Sequence, residues 1–409
     1  MSEYVKALFQ AYYRQAPVDA LVPKDIAKRE FGFVIPGKKG MIRHQAFLEP
    51  KDYKGFLVQN TPVHAYHSAT LYNSPWKDRM DLKDYTGCDL IFDIDCDHIN
   101  TPCKKDHDTW TCKECSKQGT GKVPEKCPKC GGNKFDDRTW LCDSCLDKAK
   151  METRKLIDNF LTRDFGLPLD AMAIYFSGQR GYHVHLERDD FRKMSTDARR
   201  EMADYITSTG LSLASIGFLG KATTNIMGFT IKDPGWAGQI SRGLFDLIEM
   251  LSAGKASTSI KERELELLKA NKDRLKKRLL EHDTNWSFAG IGPGIWNHII
   301  EGIVEDVRCD IDVPVTIDIH RLIRAPATLH GKTGLVNCKL TRDQLDPFDP
   351  FTDAVVFKGN AEKIKMLADV PRFRIEDKTY GPYKKDDIDT VAIGAAVFLM
   401  CKNMCEVLK

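Results

Sequence analysis

Along this chain, apolar and polar positions alternate in two short stretches and recur at helical spacing in several longer ones. In DLIFDIDCD, alternation puts Asp93 and Asp95 on one face of a strand and Phe92 and Ile94 on the other. AMAIYF, SGQRGY and HVHL read as two strands around a glycine-containing connection, with His183 and His185 sharing a face. VPVTIDIH alternates again, which predicts a strand carrying Thr316, Asp318 and His320 opposite Val315, Ile317 and Ile319. IRHQAF, from Ile42 to Phe47, is the fifth predicted strand.

Helical spacing starts directly after Cys145: Leu146, Ala149, Leu156, Ile157, Phe160 and Leu161 recur on one side, and Gly166 follows as a stop signal. From Phe191 to His298 the pattern is mainly helical. Within it the charged segment Lys261 to Glu281 carries Leu265, Leu268, Leu275 and Leu279. The apolar run Val391 to Cys401 is too short to span a bilayer and predicts a buried or partner-facing helix. Strands and helices in this order imply an α+β fold with a mixed or antiparallel central sheet. The resulting division is a main α+β domain from residues 1–102, 146–190 and 299–385, a Cys-rich segment at 103–145, a helical insertion at 191–298 and a carboxy-terminal helix at 386–409.

Composition changes this picture in one place. Between Cys103 and Cys145 large aliphatic residues give way to Cys, Lys, Gly and Asp, so the stretch cannot build a core of its own and needs metal to hold it. Six of the 13 cysteines form three Cys-x-x-Cys pairs, a metal-binding pattern and not a disulfide scaffold. Cys112, Cys115, Cys127 and Cys130 have the spacing of a zinc ribbon; Cys103, His107, Cys142 and Cys145 would complete a second tetrahedral site around it. The competing arrangement is one zinc held by two of the three pairs, but eight potential ligands at matching spacing favour two ions, both structural. A formal charge of +3 decides nothing about partners. The amino terminus is charged throughout, without the apolar core of a secretory signal or anchor, so an intracellular, cytoplasmic protein is expected.

No Walker A sequence and no G-x-G-x-x-G after a strand occurs, which removes the P-loop and dinucleotide-binding classes. Two carboxylates one residue apart on a strand make a hard oxygen site suited to Mg or Mn, and such a site suits phosphoryl transfer. D-x-D is common in solvated turns; Asp318, a further acid among apolar strand residues, strengthens the metal reading. SGQRGYHVH supplies a hydroxyl, glycine-flanked N–H groups, the Arg180 fork and an imidazole, a set suited to a triphosphate. Arg321, Arg324, His330 and Lys332 form a second group of cations just after Asp318.

FDID, SGQRGYH and IDIHRLIRAPATLHGKTG, in this order, together with IRHQAF and the Cys-rich segment, resemble the small catalytic subunit of archaeal and eukaryotic DNA primases. The resemblance runs from near the amino terminus to about Leu335. It implies that Asp93, Asp95 and Asp318 are the metal-binding catalytic triad, and that Ser177, Arg180, His183, Arg324 and His330 hold the incoming triphosphate. It also implies DNA-templated primer synthesis and a heterodimer with a larger, iron–sulfur-containing subunit. Gln179 departs from relatives with a second arginine there, and Asp97 reads as a loop acid. Stand-alone primase-polymerases and end-joining repair polymerases share the first motifs, whereas the zinc segment and the tail favour the replicative subunit. A zinc-ribbon adaptor or a metal-dependent nuclease would have no need of a triphosphate clamp.

Overall fold

The structure, a computed structural model, describes residues 1–99, 101–218, 226–254 and 259–408. Its secondary structure is α+β, and every strand pair in the described sheets is antiparallel. Contacts divide the chain into two compact units: residues 1–153, 169–199 and 311–409, and residues 154–168 and 200–310.

Two four-stranded sheets build the first unit. One has the order Leu322–Arg324, His64–Ser68, Phe31–Val34, Ile42–Gln45; the other runs Cys338–Leu340, Met172–Phe176, Gly181–Leu186, Leu90–Asp95. Ile91 of the second sheet and Ile323 of the first are buried in one cluster with Ala69, Cys88 and Val315, so apolar burial joins the sheets behind the acid-bearing strand. Beside this cluster lies a buried polar knot. Arg29 Nη2 donates to Asp89 at 2.6 Å, Arg192 Nε donates to the same carboxylate at 2.7 Å, and Arg199 Nη1 donates to the Asp89 carbonyl at 3.0 Å. A carboxylate that is 1% exposed is tolerable here because both its oxygens are paired with guanidinium groups.

The predicted strand at VPVTIDIH is not one. Val313–Ile317 is a single helical turn, Asp318 is its C-cap, and the strand begins only at Leu322. Pro314 explains the difference: it has no N–H for a ladder, but it fits the first turn of a helix. Two apolar periods coincide over so short a run. The tail behaves differently from its pattern too, since Ile388–Ala392 is a strand in a three-stranded sheet and only Ile393–Cys401 is helical. Gly394 to Met400 are all buried, which makes that helix a core element. Asp143–Arg154 is helical as expected, and Gly166 takes a positive φ of 66° beyond the π-wound segment Lys155–Asp164.

The second unit is mainly helical. Gly235–Ser252, Glu262–Glu281 and Pro293–Val307 are its long helices, and Leu265, Leu268, Leu275 and Leu279 are all buried as their spacing requires. Trp286 and Trp296, both fully buried, pack with ring centroids 4.8 Å apart. No described helix is long and apolar enough to cross a membrane.

Candidate active site and metal centres

Asp93 and Asp95 lie at the end of the Leu90–Asp95 strand, where Phe92 and Ile94 are fully buried and the two acids are half-buried. The neighbouring strand sets what faces them: His183 is opposite Asp93 and Gly181 opposite Asp95. His183 Nε2 stands 3.5 Å from Asp93 Oδ1. A Cβ at position 181 would collide with the Ile94 carbonyl, so only glycine lets the strands close at this point. Asp95 Oδ1 accepts from the Asp97 N–H at 2.9 Å.

The carboxylate placed beside this pair is Asp312, which pattern reading passed over. Its N–H donates to the Asp93 carbonyl at 2.8 Å, and its Oδ2 lies 3.8 Å from His98 Nε2 and 3.9 Å from Arg321 Nη2. Asp318 is exposed, and its Oδ1 accepts from the His320 N–H at 2.8 Å, a local turn contact. Asp312 is the N-cap of the turn that Pro314 forces, and DVP was the available signal: an acid just before a Pro-bearing helix start.

Burial, reinforced by the Asp312 charge, raises the Asp93 pKa from 3.8 to about 7; burial and then Asp97 raise that of Asp95 to about 6. The folded, metal-free chain therefore binds protons that the unfolded chain has released. Stability from these carboxyls is complete below about 3.8 and is lost as pH rises through about 6 to 7. Divalent metal needs the ionised forms, so affinity for Mn is expected to tighten with pH. The expected slope is about tenfold per pH unit for each proton displaced, flattening above pH about 7. Calorimetric Mn titration at several pH values checks this, and a flat profile would show that the buried acids do not bind the ion.

Several of the residues expected to bind phosphate lie on or against the turn that follows Met172–Phe176. Ser177 Oγ accepts from the N–H groups of Gln179 and Gly181, at 3.3 and 3.2 Å, and so closes the turn after Met172–Phe176. Thr333 Oγ1 donates to the Gly178 carbonyl at 2.6 Å, and His330 packs against Gly178, so the SGQRG turn and the HGKTG loop form one wall. Arg180 is 1% exposed; its Nη1 lies 2.9 Å from Asp97 and its Nη2 3.5 Å from Asp108. Gln179 is partly exposed at the tip of the turn.

Arg324 is the most telling cation. It is buried, its Nη2 donates to Tyr66 Oη at 3.3 Å, and its guanidinium lies 4.9 Å from that ring's centroid. Its Nη1 has no hydrogen-bond partner, and no carboxylate among the described residues lies within ion-pair distance. Burial and the Arg324 charge push His183 down to about 4, and the same two causes hold His330 well below its ordinary value. Burial and then Arg324 push His64, whose ring is 4.8 Å from that of His330, down to about 3. Neutral imidazoles thus surround a buried positive charge. Lys402 is a further cation, invisible in sequence because it follows the tail helix. Its ammonium lies 5.0 Å from the Trp140 and Phe398 rings, and burial, then Arg180, lowers its pKa to about 8.

Both cysteine groups assemble with the expected membership. Cys103, His107, Cys142 and Cys145 form one set and Cys112, Cys115, Cys127 and Cys130 the other, each with ligand atoms mutually within 4.8 Å. Among the described residues only these two groups close so tightly; the aspartates do not. Sγ separations of 3.4 and 3.6 Å in the first set and 3.6 Å in the second are close to the about 3.8 Å edge of a zinc tetrahedron with bonds of about 2.3 Å. His107 presents Nε2 to Cys142 at 3.3 Å, while its Nδ1 is held by Asp108 at 2.8 Å, the arrangement that orients a metal-binding imidazole. The donor sets fit zinc.

Proteins similar to this chain fall in one class, the DNA-dependent nucleotidyltransferases. A model of the DNA primase small subunit matches residues 136–342. A DNA primase small subunit of Cenarchaeum symbiosum is 32% identical over 400 residues, covering 97% of this chain and 96% of the relative. That of Methanothrix thermoacetophila is 33% identical over 439 residues, covering 99% and 98%. The chain belongs to the DNA primase small subunit family.

Proposed function

We propose that this chain makes short primers for DNA replication by copying a DNA template with nucleoside triphosphates. A 3′-hydroxyl attacks the α-phosphate, the new phosphoester bond forms as the bond to pyrophosphate breaks, and the hydroxyl proton leaves to solvent. Mg or Mn, when bound, would polarise the reacting phosphate and stabilise the charge on both oxygens. Asp93 and Asp95 would hold the ions, with Asp312 as the third acid in place of Asp318. Arg324, Arg180, His183, His330, Lys402 and the N–H groups of the Ser177 turn would bind and orient the triphosphate. The family name of small subunit supports a larger partner subunit, and we take this to be the iron–sulfur-containing one that helps initiation.

One observation carries the reading: Arg324 is a buried guanidinium with no counter-ion among the described residues, next to the histidine that faces Asp93. A bound polyphosphate would neutralise it. The test is nucleoside triphosphate binding followed by templated synthesis on single-stranded DNA, alone and with the large subunit. Arg324→Gln is expected to weaken triphosphate binding about 10- to 100-fold, the loss of one charge-assisted contact. A zinc-loaded chain that binds no triphosphate would reject primer synthesis and revive the adaptor and nuclease readings.

A further inference from the structure

A cavity of about 650 Å³ opens between the loop after the catalytic strand and the inserted ribbon. Its lining includes Asp97 and His98, just beyond Asp95, and the cations Lys105, Lys122 and Arg138. The three cations are brought together by backbone geometry. Lys105 packs against Gly121, which has a positive φ of 79° and whose N–H donates to the Asp108 carbonyl at 2.8 Å. Arg138 pairs opposite Thr109, and Thr109 opposite Thr120, so the Arg138 end of the three-stranded ribbon sheet lies beside Lys122.

Charge in this cavity is unbalanced. Asp97 is taken by Arg180 at 2.9 Å, and Asp108 by His107 at 2.8 Å and the Trp140 N–H at 2.9 Å. Lys104 spends its ammonium on the carbonyls of Cys96, Asp97 and Ile99, which fixes the loop. Asp137 is the remaining acid of the lining, whereas Lys105, Lys122 and Arg138 are exposed and make no ion pair among the described residues. Separate, exposed cations along an open wall suit the spaced charges of a polymer more than the compact charge of one triphosphate.

We propose that this cavity is a tract for the phosphodiester backbone of the nucleic-acid strand that meets the catalytic acids, with Lys105, Lys122 and Arg138 as its phosphate contacts. The inference rests on the primer-synthesis reading for why a strand should pass there. The ribbon, inserted between the ligands of the inner metal set, then serves as the tract's outer wall.

The experiment measures binding of the full chain to a 12-nucleotide single-stranded DNA, the same RNA sequence and their hybrid, without divalent metal, at several salt concentrations. Lys105→Gln, Lys122→Gln and Arg138→Gln combined are expected to reduce the slope of log affinity against log salt by about 2, at about 0.7 per lost contact. Nucleoside triphosphate affinity and zinc content should stay unchanged. Preference among the three ligands identifies template or product as the bound strand. A control triple at Lys117, Lys126 and Lys134, ribbon lysines outside the cavity, should leave the slope as it was. Equal effects of the two triples, or no effect of the first, would overturn the tract. Because binding is read without catalysis, that result leaves the primer-synthesis reading to be judged by triphosphate binding alone.

Discussion

Asn at both Asp93 and Asp95 is expected to lower primer synthesis by at least about 10³-fold, since losing metal stabilisation of the reacting phosphate costs several kcal/mol and each 1.4 kcal/mol is a decade. The fold should survive. Both acids carry raised pKa values because burial opposes their ionisation, so a neutral isostere removes a strain instead of creating one. The metal-free double variant should melt at the same or a higher temperature at neutral pH and keep its zinc. The third acid separates two assignments. Asp312→Asn is expected to match the loss from the pair, since this carboxylate borders Asp93 and its neutralisation removes the charge shared with His98 and Arg321. Asp318→Asn should stay within a few-fold of the parent, because an amide oxygen can still accept from the His320 N–H. Primer assays on these variants, with melting curves alongside, decide it. The reverse outcome, synthesis lost in Asp318→Asn and kept in Asp312→Asn, would restore the triad containing Asp318.

The contrast between these acids shows what a sequence can transmit. Asp93 and Asp95 were legible because the second half of the Leu90–Asp95 strand alternates, with Phe92 and Ile94 buried and the two acids half-buried. The hairpin Met172–Phe176 to Gly181–Leu186 was legible for a different reason, two short apolar and aromatic runs joined by a turn that requires glycine. VPVTIDIH misled because alternation over a few residues also fits one helical turn followed by an extended segment. Pro314 was the deciding residue, and the acid that the fold sets beside Asp93 is the one at the turn's start. Lys402 and the Arg29–Asp89–Arg192 knot were out of reach for a different reason. Each depends on contacts between segments separated by many residues, and no local period records which distant charge will meet which. The Cys and His ligand candidates stood between these cases: spacing suggested the two sets but left a one-ion pairing open, and the convergence of Cys103 and His107 with Cys142 and Cys145 in space matches the two-set grouping.

Protein prepared without added metal is expected to contain two zinc ions per chain, and the two sites should differ in what their loss does. The outer set, Cys112, Cys115, Cys127 and Cys130, closes only the ribbon, whose strands Thr109–Cys112, Gln118–Thr120 and Phe135–Arg138 form their own small sheet. The inner set is tied to the catalytic unit. Cys145 starts the Asp143–Arg154 helix on its buried side, and its carbonyl accepts from the thiol of Cys96, the residue after Asp95. Asp108, which orients His107, also stands 3.5 Å from Arg180. A structural zinc is worth about 10–16 kcal/mol in isolated finger peptides, so losing the inner ion removes an energy as large as a whole domain's stability. Cys142→Ser with Cys145→Ser is therefore expected to lower the melting temperature by well over ten degrees and to loosen Arg180, with weaker triphosphate binding in whatever chain remains folded. Cys112→Ser with Cys115→Ser should release one zinc and leave both the main melting transition and triphosphate affinity nearly unchanged. Metal analysis, calorimetry and triphosphate titration on the two double variants separate the sites. A single zinc in the parent protein, or equal damage from the two variants, would mean that the ribbon is not nested in an independent inner centre.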